Sequence, residues 1–325
     1  MKNKTYLITG GTGFIGSALV RSLIKAGHRI RIIDNNSRGS IKRISDIISD
    51  VEFIQADIRD RKKVKQALRN IDCVIHLAAI NGTQFFYTKP DEVLDVAVGG
   101  VMNVIHGSIA QNVPELFLAS SSEVYYSPQI IPTDETAALV IPEVLNPRFS
   151  YSGGKIISEL LTIHFGKKYF KRVVIFRPHN VYGPNMGYEH IIPQFILRMT
   201  EFKNRTNKSN KTTMSFPIQG TGKESRAYIY IDDAVRALLL LLQKGKHVNI
   251  YNIGTSEEFT SSEVAKKIAH GLGIKINIIP GKLLPGSVLR RCPDVTKISS
   301  LGFSKKISFD QGLPQVIQWY IQNEK

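Results

Sequence analysis

The sequence predicts an α/β fold, a doubly wound parallel sheet with a smaller, mostly C-terminal lobe. Three observations carry that expectation. Six short, near-continuous apolar runs recur within residues 1–178, the pattern of strands buried on both faces. Stretches with helical spacing separate most of them, so neighbouring strands run parallel through crossovers. Gly10, Gly13 and Gly16 fall between the first run and the first helical stretch, where such a sheet makes its first tight turn.

Residues 6–9 read as the first strand. Ile15, Leu19, Leu23 and Ala26 then recur on one helix face, and Gly27 ends that helix. Residues 29–34, 51–57, 73–79, 116–120 and 172–177 supply the remaining five strands. Beyond Pro178 the segments shorten, and Pro184, Pro193, Pro217, Pro280, Pro285 and Pro293 punctuate them. The polar stretch 203–211 reads as a loop. The expected division is a cofactor domain over residues 1–178, with returning elements around 225–255, and an interleaved substrate lobe over 179–325.

The chain has 325 residues and is 42% hydrophobic, enough for one large core or two lobes. Cys73 and Cys292 lie far apart without metal-ligand spacing, which suggests a reducing compartment and no disulfide framework. No apolar run is expected to reach the ~18–20 residues that a membrane span needs. Lys2 and Lys4 lead straight into the first strand, so no signal peptide is expected. A cytoplasmic protein with no membrane partner follows. The net charge of +16 comes from scattered lysines, which points to solvated faces rather than a nucleic-acid partner. His76, His179 and His190 lack the spacing of a metal set; each is read as a packing or hydrogen-bonding residue, and no metal is expected.

The glycine turn suits a dinucleotide. Gly10 permits the tight turn, Gly13 admits a pyrophosphate close to the backbone, and Gly16 lets helix and strand pack. The helix start at Phe14 and Ile15 then faces the phosphates. This is a Rossmann-type arrangement. Asp34, followed by Asn35, ends the second strand where a carboxylate would accept from ribose hydroxyls. That favours NAD over NADP, although Arg38 nearby tempers the preference. Asp57 and Ile58 are placed to bracket the adenine, with Leu77, Ala78 and Ala79 beneath the cofactor.

Tyr151 and Lys155 lie one helical turn apart. A phenol ordinarily titrates at about 10, so it acts as a base near neutrality only when its anion is stabilised. Lys155 can supply that charge and bind a nicotinamide ribose. Upstream, Ser120, Ser121 and Ser122 offer hydroxyls, and Glu123 a carboxylate.

With these residues the chain resembles the extended short-chain dehydrogenase/reductases, specifically the nucleotide-sugar epimerase and dehydratase group. The resemblance runs over nearly the whole chain. It includes Arg177-Pro178-His179-Asn180-Val181-Tyr182-Gly183-Pro184, Arg226-Ala227-Tyr228-Ile229-Tyr230-Ile231-Asp232-Asp233, and Arg290-Arg291-Cys292-Pro293-Asp294. It implies NAD, a nucleotide-diphosphate sugar substrate and a 4-keto intermediate. Tyr151 would take the 4-hydroxyl proton while Ser121 holds that hydroxyl. Pro178 would border the cofactor and Asn180 the sugar diphosphate. Arg226 and Arg291 would grip the diphosphate.

Ser122 and Glu123 occupy the positions where dehydratases carry acid and base. Many of them have aspartate where Ser122 stands. Plain 4-epimerases usually have small or hydroxyl residues where Glu123 stands. Glu123 is therefore either a base at C5 or a structural carboxylate bonded to backbone. Asp95, the segment 81–86 and the stretch 203–211 also depart from the group's usual pattern, which opens the question of substrate. The alternatives are a 4-dehydrogenase or 4-ketoreductase, a uronic-acid decarboxylase, and a non-catalytic redox sensor or RNA-binding protein. The resemblance also implies a homodimer, paired through helices around 93–111 and 151–168, where Ile156, Ile157, Leu160 and Leu161 widen the apolar surface.

Overall fold

The computed structural model describes residues 3–206 and 213–323. The first half alternates strands and helices: β1 (Thr5–Thr9), α1 (Phe14–Lys25), β2 (Arg29–Asp34), β3 (Val51–Gln55), α2 (Arg61–Ala67), β4 (Cys73–His76), α3 (Thr83–Thr88), α4 (Pro90–Leu94), α5 (Val101–Ala110), β5 (Glu115–Ala119), α6 (Ser150–Tyr169) and β6 (Arg172–Pro178). The second half comprises β7 (Val181–Tyr182), α7 (Ile191–Thr206), β8 (Thr213–Pro217), β9 (Ser225–Ala227), β10 (Ile229–Tyr230), α8 (Ile231–Lys244), β11 (Asn249–Ile253), β12 (Glu258–Thr260), α9 (Ser261–Leu272), β13 (Lys275–Ile279), β14 (Arg290–Arg291), α10 (Thr296–Ser299) and α11 (Phe309–Asn323).

The main sheet is parallel and seven-stranded, in the order β11-β6-β5-β4-β1-β2-β3. Alternation along its strands feeds two cores. Leu7, Ile33, Val74, Leu118 and Ile175 pack with Val64, Ala67, Val104 and Ile105 of α2 and α5. Ile8, Ile32, Ile75, Phe117 and Phe176 pack on the other face with Leu19, Leu23, Leu238 and Leu241 of α1 and α8. Apolar side chains on both faces explain the near-continuous hydrophobic runs.

All six expected strands are present; β2 has the expected bounds, and the other five are shifted by a residue or more at one end or both. Other expectations need correction. The polar stretch 203–211 is not all loop: α7 runs through Thr206, and residues 207–211 lie outside the described residues. The segments after Pro178 do not all shorten. Strands there are brief, but α7, α8 and α11 have 16, 14 and 15 residues, and Pro193 sits harmlessly in the first turn of α7.

One helix is also long and apolar enough to cross a membrane by length and composition. A π-turn over Asp95–Gly100 joins α4 to α5, making a continuous Pro90–Ala110 helix of 21 residues with mean hydropathy 1.5. Its charges cluster near the start, so the run is easily passed over in the sequence. Half of it is buried here, against α2 and α6. The fit on α6 is close, since a Cβ at Gly154 would stand 2.6 Å from that of Ala97. Ser158 Oγ donates to the Ala97 carbonyl at 2.8 Å.

Candidate functional site

The carboxyl ends of β1, β2 and β4 and the turn after β3 open on a cavity of about 310 Å³. Of the residues expected to hold a cofactor, Gly10, Gly13, Asp34, Asn35, Asp57, Ile58, Leu77, Ala78 and Ala79 line it. Gly10 has φ +73°, and a Cβ there would fall 2.8 Å from the Ala78 nitrogen. Gly16 does not line the cavity; its Cβ would fall 2.2 Å from the Gly10 carbonyl oxygen, so its role is packing. Gly13 caps α1 without a side chain, leaving the first amides of the helix free of side-chain acceptors. Phe14 and Ile15 turn their side chains onto the core.

Asp34 is buried at the cavity wall. Its carboxylate accepts from the Thr12 amide at 3.0 Å and the Asn36 amide at 2.9 Å, so it also fixes the turn. Arg38 also lines the cavity, but its charge is paired. It pairs with Glu189 through two bonds of 2.8 and 3.1 Å and lies 4.3 Å above the Phe85 ring. Asp57 is held below the usual carboxylate range by Arg59, against a burial penalty, with Asn35 donating at 2.8 Å. Arg59, Phe85, Lys89 and Glu92 also line the cavity. The sequence reading missed them, although Arg59 had a signal in its place just after Asp57.

Ala79, Ile80 and Phe85 connect this cavity to Tyr151, because they line it and also pack against Phe86, Val93 and Tyr151. Tyr151 is buried. Burial pushes its phenol up to about 12, opposed by a hydrogen bond with the Ser121 side chain. Lys155 is 4% exposed, and burial lowers its ammonium to about 8. Its Nζ donates to the Ala119 carbonyl at 2.7 Å and stands 5.8 Å from the centre of the Tyr151 ring. The Tyr–Lys spacing is thus as expected, but in this structure the lysine's bond goes to a strand end rather than to the phenol.

Ser121 caps the turn Ser122–Tyr125, its Oγ accepting from the Glu123 amide at 3.2 Å. Ser122 is buried within that turn. The Glu123 carboxylate is gripped by arginines. Arg291 Nη1 donates to it at 2.5 Å, and Arg148 Nη2 lies 3.9 Å away. Burial would raise this carboxyl, but Arg291, Arg148 and Arg226 outweigh it and hold it at about 2. Arg148 was not anticipated; its signal was a positive charge one turn ahead of Tyr151.

Arg226 spends its bonds on backbone carbonyls of Ser225, Val288 and Leu289. Burial and the neighbouring Arg291 lower it to about 10. Arg291 is 3% exposed, and its Nε and Nη2 have no hydrogen-bond partner among the described residues. Asn180, with φ +36°, donates to the Ala227 carbonyl at 3.0 Å. Pro178 ends β6 beside Ile253 and does not line the cavity. Among the described residues no group of three His, Cys, Asp or Glu could hold a metal ion.

A glycine turn and an acidic strand end around one cavity, in a parallel sheet wound on both faces, define a dinucleotide-binding α/β protein. The chain belongs to the NAD dependent epimerase/dehydratase family, whose model matches residues 6–254; it is an NAD-dependent enzyme. It is 30% identical to a UDP-N-acetyl-alpha-D-glucosaminuronate decarboxylase of Bacillus cytotoxicus, covering 99% of each chain. A UDP-glucose 4-epimerase of Thermotoga maritima, solved with UDP-glucose, superposes with TM-score 0.87 at 26% identity, covering 99% of this chain and 100% of that one. A dTDP-glucose 4,6-dehydratase of Streptomyces venezuelae, solved with NAD, also gives 0.87 at 26% identity, covering 98% and 97%.

Proposed function

We propose that the protein oxidises a nucleotide-diphosphate sugar at C4 and completes an epimerisation or dehydration through the 4-keto sugar. The observation that carries this reading is the buried Tyr151 phenol, packed beside the cofactor cavity with Lys155 one turn along the same helix. Tyr151 takes the proton of the 4-hydroxyl, and Ser121 holds that hydroxyl. Lys155 keeps its ammonium where a nicotinamide ribose would lie. Bound NAD supplies the acceptor for the hydrogen leaving C4. Gly10, Gly13, Asp34 and Asp57 are the residues to hold it; the uncapped start of α1 and the glycine turn suit its pyrophosphate.

The unpartnered Nε and Nη2 of Arg291 suit a diphosphate, with Asn180 and Arg226 shaping the same wall. A substrate anion that engages Arg291 loosens its hold on Glu123 and leaves that carboxylate free to act at C5. Residues 1–178, with elements from 225–255, form the cofactor domain in this reading, and the rest holds the sugar nucleotide. The enzyme works in the cytoplasm as a homodimer. Leu94, Ile157 and Leu160 are 39, 40 and 51% exposed on the Pro90–Ala110 helix and α6, an apolar face that a second copy would cover.

One observation favours a second reading, that the sugar is a uronic acid. A carboxylate already sits between Arg291 and Arg148, so the cluster suits a second anion besides the diphosphate. A 4-keto uronate is a β-keto acid: the C5–C6 bond breaks, carbon dioxide leaves, and the electron pair passes into the ketone. The decarboxylase relative agrees with this. Incubation with a panel of nucleotide sugars, followed by mass spectrometry and NMR, tests both. An epimer or a dehydrated sugar supports the first reading, and loss of carbon dioxide the second. No change in any sugar nucleotide contradicts both.

A further inference from the structure

We propose that Arg177, acting through Glu159 and Tyr125, is a positioning residue that sets the Tyr151–Lys155 helix against the Ser121–Glu123 turn. Arg177 is 2% exposed and does not line the cofactor cavity. Its Nε and Nη2 bind Glu159 in a bidentate pair of 2.8 and 2.6 Å. Glu159 follows Tyr151 and Lys155 at successive one-turn spacings on α6. Arg177 Nη1 donates to the Tyr125 hydroxyl at 2.7 Å and to the Glu135 carbonyl at 3.2 Å. Tyr125 closes the turn that Ser121 caps and Glu123 belongs to.

The chain of bonds continues. The Tyr125 hydroxyl donates to Asn252 Oδ1 at 2.8 Å. Asn252 Nδ2 donates to the Thr133 carbonyl at 2.9 Å and the Asp294 carbonyl at 3.1 Å. The Thr133 amide in turn donates to the Cys292 carbonyl at 2.9 Å, next to Arg291. One guanidinium thus joins the helix of Tyr151, the turn of Glu123 and the segment of Arg291.

Stability alone is a weak reason for such a pair. Buried ion pairs are often replaced by apolar residues without loss of folding, whereas removing one partner alone is strongly destabilising. Arginine's planar fork fixes direction as well as distance, which a lysine does not. Small displacements of this kind are costly, since a shift of about 1 Å in reacting groups can cost ~10²-fold in rate.

The proposal rests on the reading of Tyr151 as base, so its test has one arm that needs no turnover. The double variant Arg177→Met/Glu159→Leu keeps a filled core. Tyr125→Phe keeps the ring and removes only the link. Both should bind NAD and melt as cooperatively as the wild type. Against a sugar nucleotide that the wild type turns over, kcat should fall ~10²-fold in the double variant, with KM changed far less. In the substrate-free arm, amide hydrogen exchange of the Ser122–Tyr125 turn is followed by mass spectrometry, and it should quicken in both variants, because the bond that holds Tyr125 is lost.

Folded variants with kcat within twofold of wild type overturn the proposal, as does a loss carried wholly by KM. If the double variant does not fold, Tyr125→Phe decides by the same criteria. If the wild type turns over no sugar nucleotide, the functional reading fails. The exchange measurement then stands alone, and unchanged exchange over that turn overturns the positioning role.

Discussion

The Tyr151 ring lies flat on Phe86, with centroids 4.8 Å apart and planes 14° from parallel. Phe86 belongs to α3. The same short helix carries Phe85, which lines the cofactor cavity. The phenol is therefore held from the side by a residue 65 positions away in the chain.

Phe86→Ala should leave NAD affinity nearly unchanged and lower kcat about tenfold or more, since a loosened ring spends less time in line with its proton. Calorimetric NAD binding and steady-state kinetics on the same preparation check it. Unchanged kcat would show that the stack is packing alone.

Tyr151→Phe keeps that stack and removes only the hydroxyl. Turnover should fall roughly 10²–10⁴-fold, the usual worth of a general base, with NAD binding retained. Turnover within a factor of two would remove Tyr151 from the mechanism.

Lys155 gives a prediction on stability. Its ammonium is lowered to about 8 from an ordinary 10.5, chiefly by burial. The unfolded chain therefore binds the extra proton between pH 8 and 10.5, and stability rises with pH across that window. Tyr151, raised to about 12, acts in the opposite sense above pH 10. Lys155→Met should flatten the rise and stabilise the protein at pH 7 by about 2 kcal/mol, since the difference between 10.5 and 8 is worth about 3.4 kcal/mol and the lost hydrogen bond offsets about 1 kcal/mol of it. Urea melts at pH 7, 9 and 10 read this directly. A variant less stable than wild type at pH 7 contradicts it.

Arg291 and Arg226 should separate. Arg291→Gln leaves no guanidinium for the diphosphate, and KM for a sugar nucleotide should rise more than about tenfold, as expected for a lost charge-assisted contact. Arg226→Gln should act less on KM and more on melting temperature, because its bonds hold the Ser225 and Val288 backbone. Equal effects on KM would mean that both touch the substrate.

Asp34→Ser should narrow the preference for NAD over NADP, since the carboxylate repels a 2′-phosphate and Arg38 is committed to Glu189. Titration of both dinucleotides by fluorescence quenching measures it. A wild type that binds NADP more tightly refutes the assignment of Asp34.

The sheet and the glycine turn were legible because their signals are local. A strand with both faces covered must be apolar throughout, and a Cβ at Gly10 meets the backbone of Ala78. Glu123 was legible as a residue of interest but not in its state. Its partner Arg291 lies 168 residues away, and nothing in either local sequence names the other. Lys155 shows the same limit, since helical spacing gives its face and not the Ala119 carbonyl that its ammonium meets.

Every residue lining the cofactor cavity lies between Gly10 and Val96, whereas the outer edge of β6 waits for β11 at Asn249–Ile253. As the chain leaves the ribosome, N-terminal segments can organise first. The growing polypeptide owns a place for its dinucleotide well before it owns a pocket for a sugar. In the interval β6 carries an open edge, the kind of surface that recruits stray strands. A chain stalled between residues 179 and 253 leaves that edge of β6 without its partner strand.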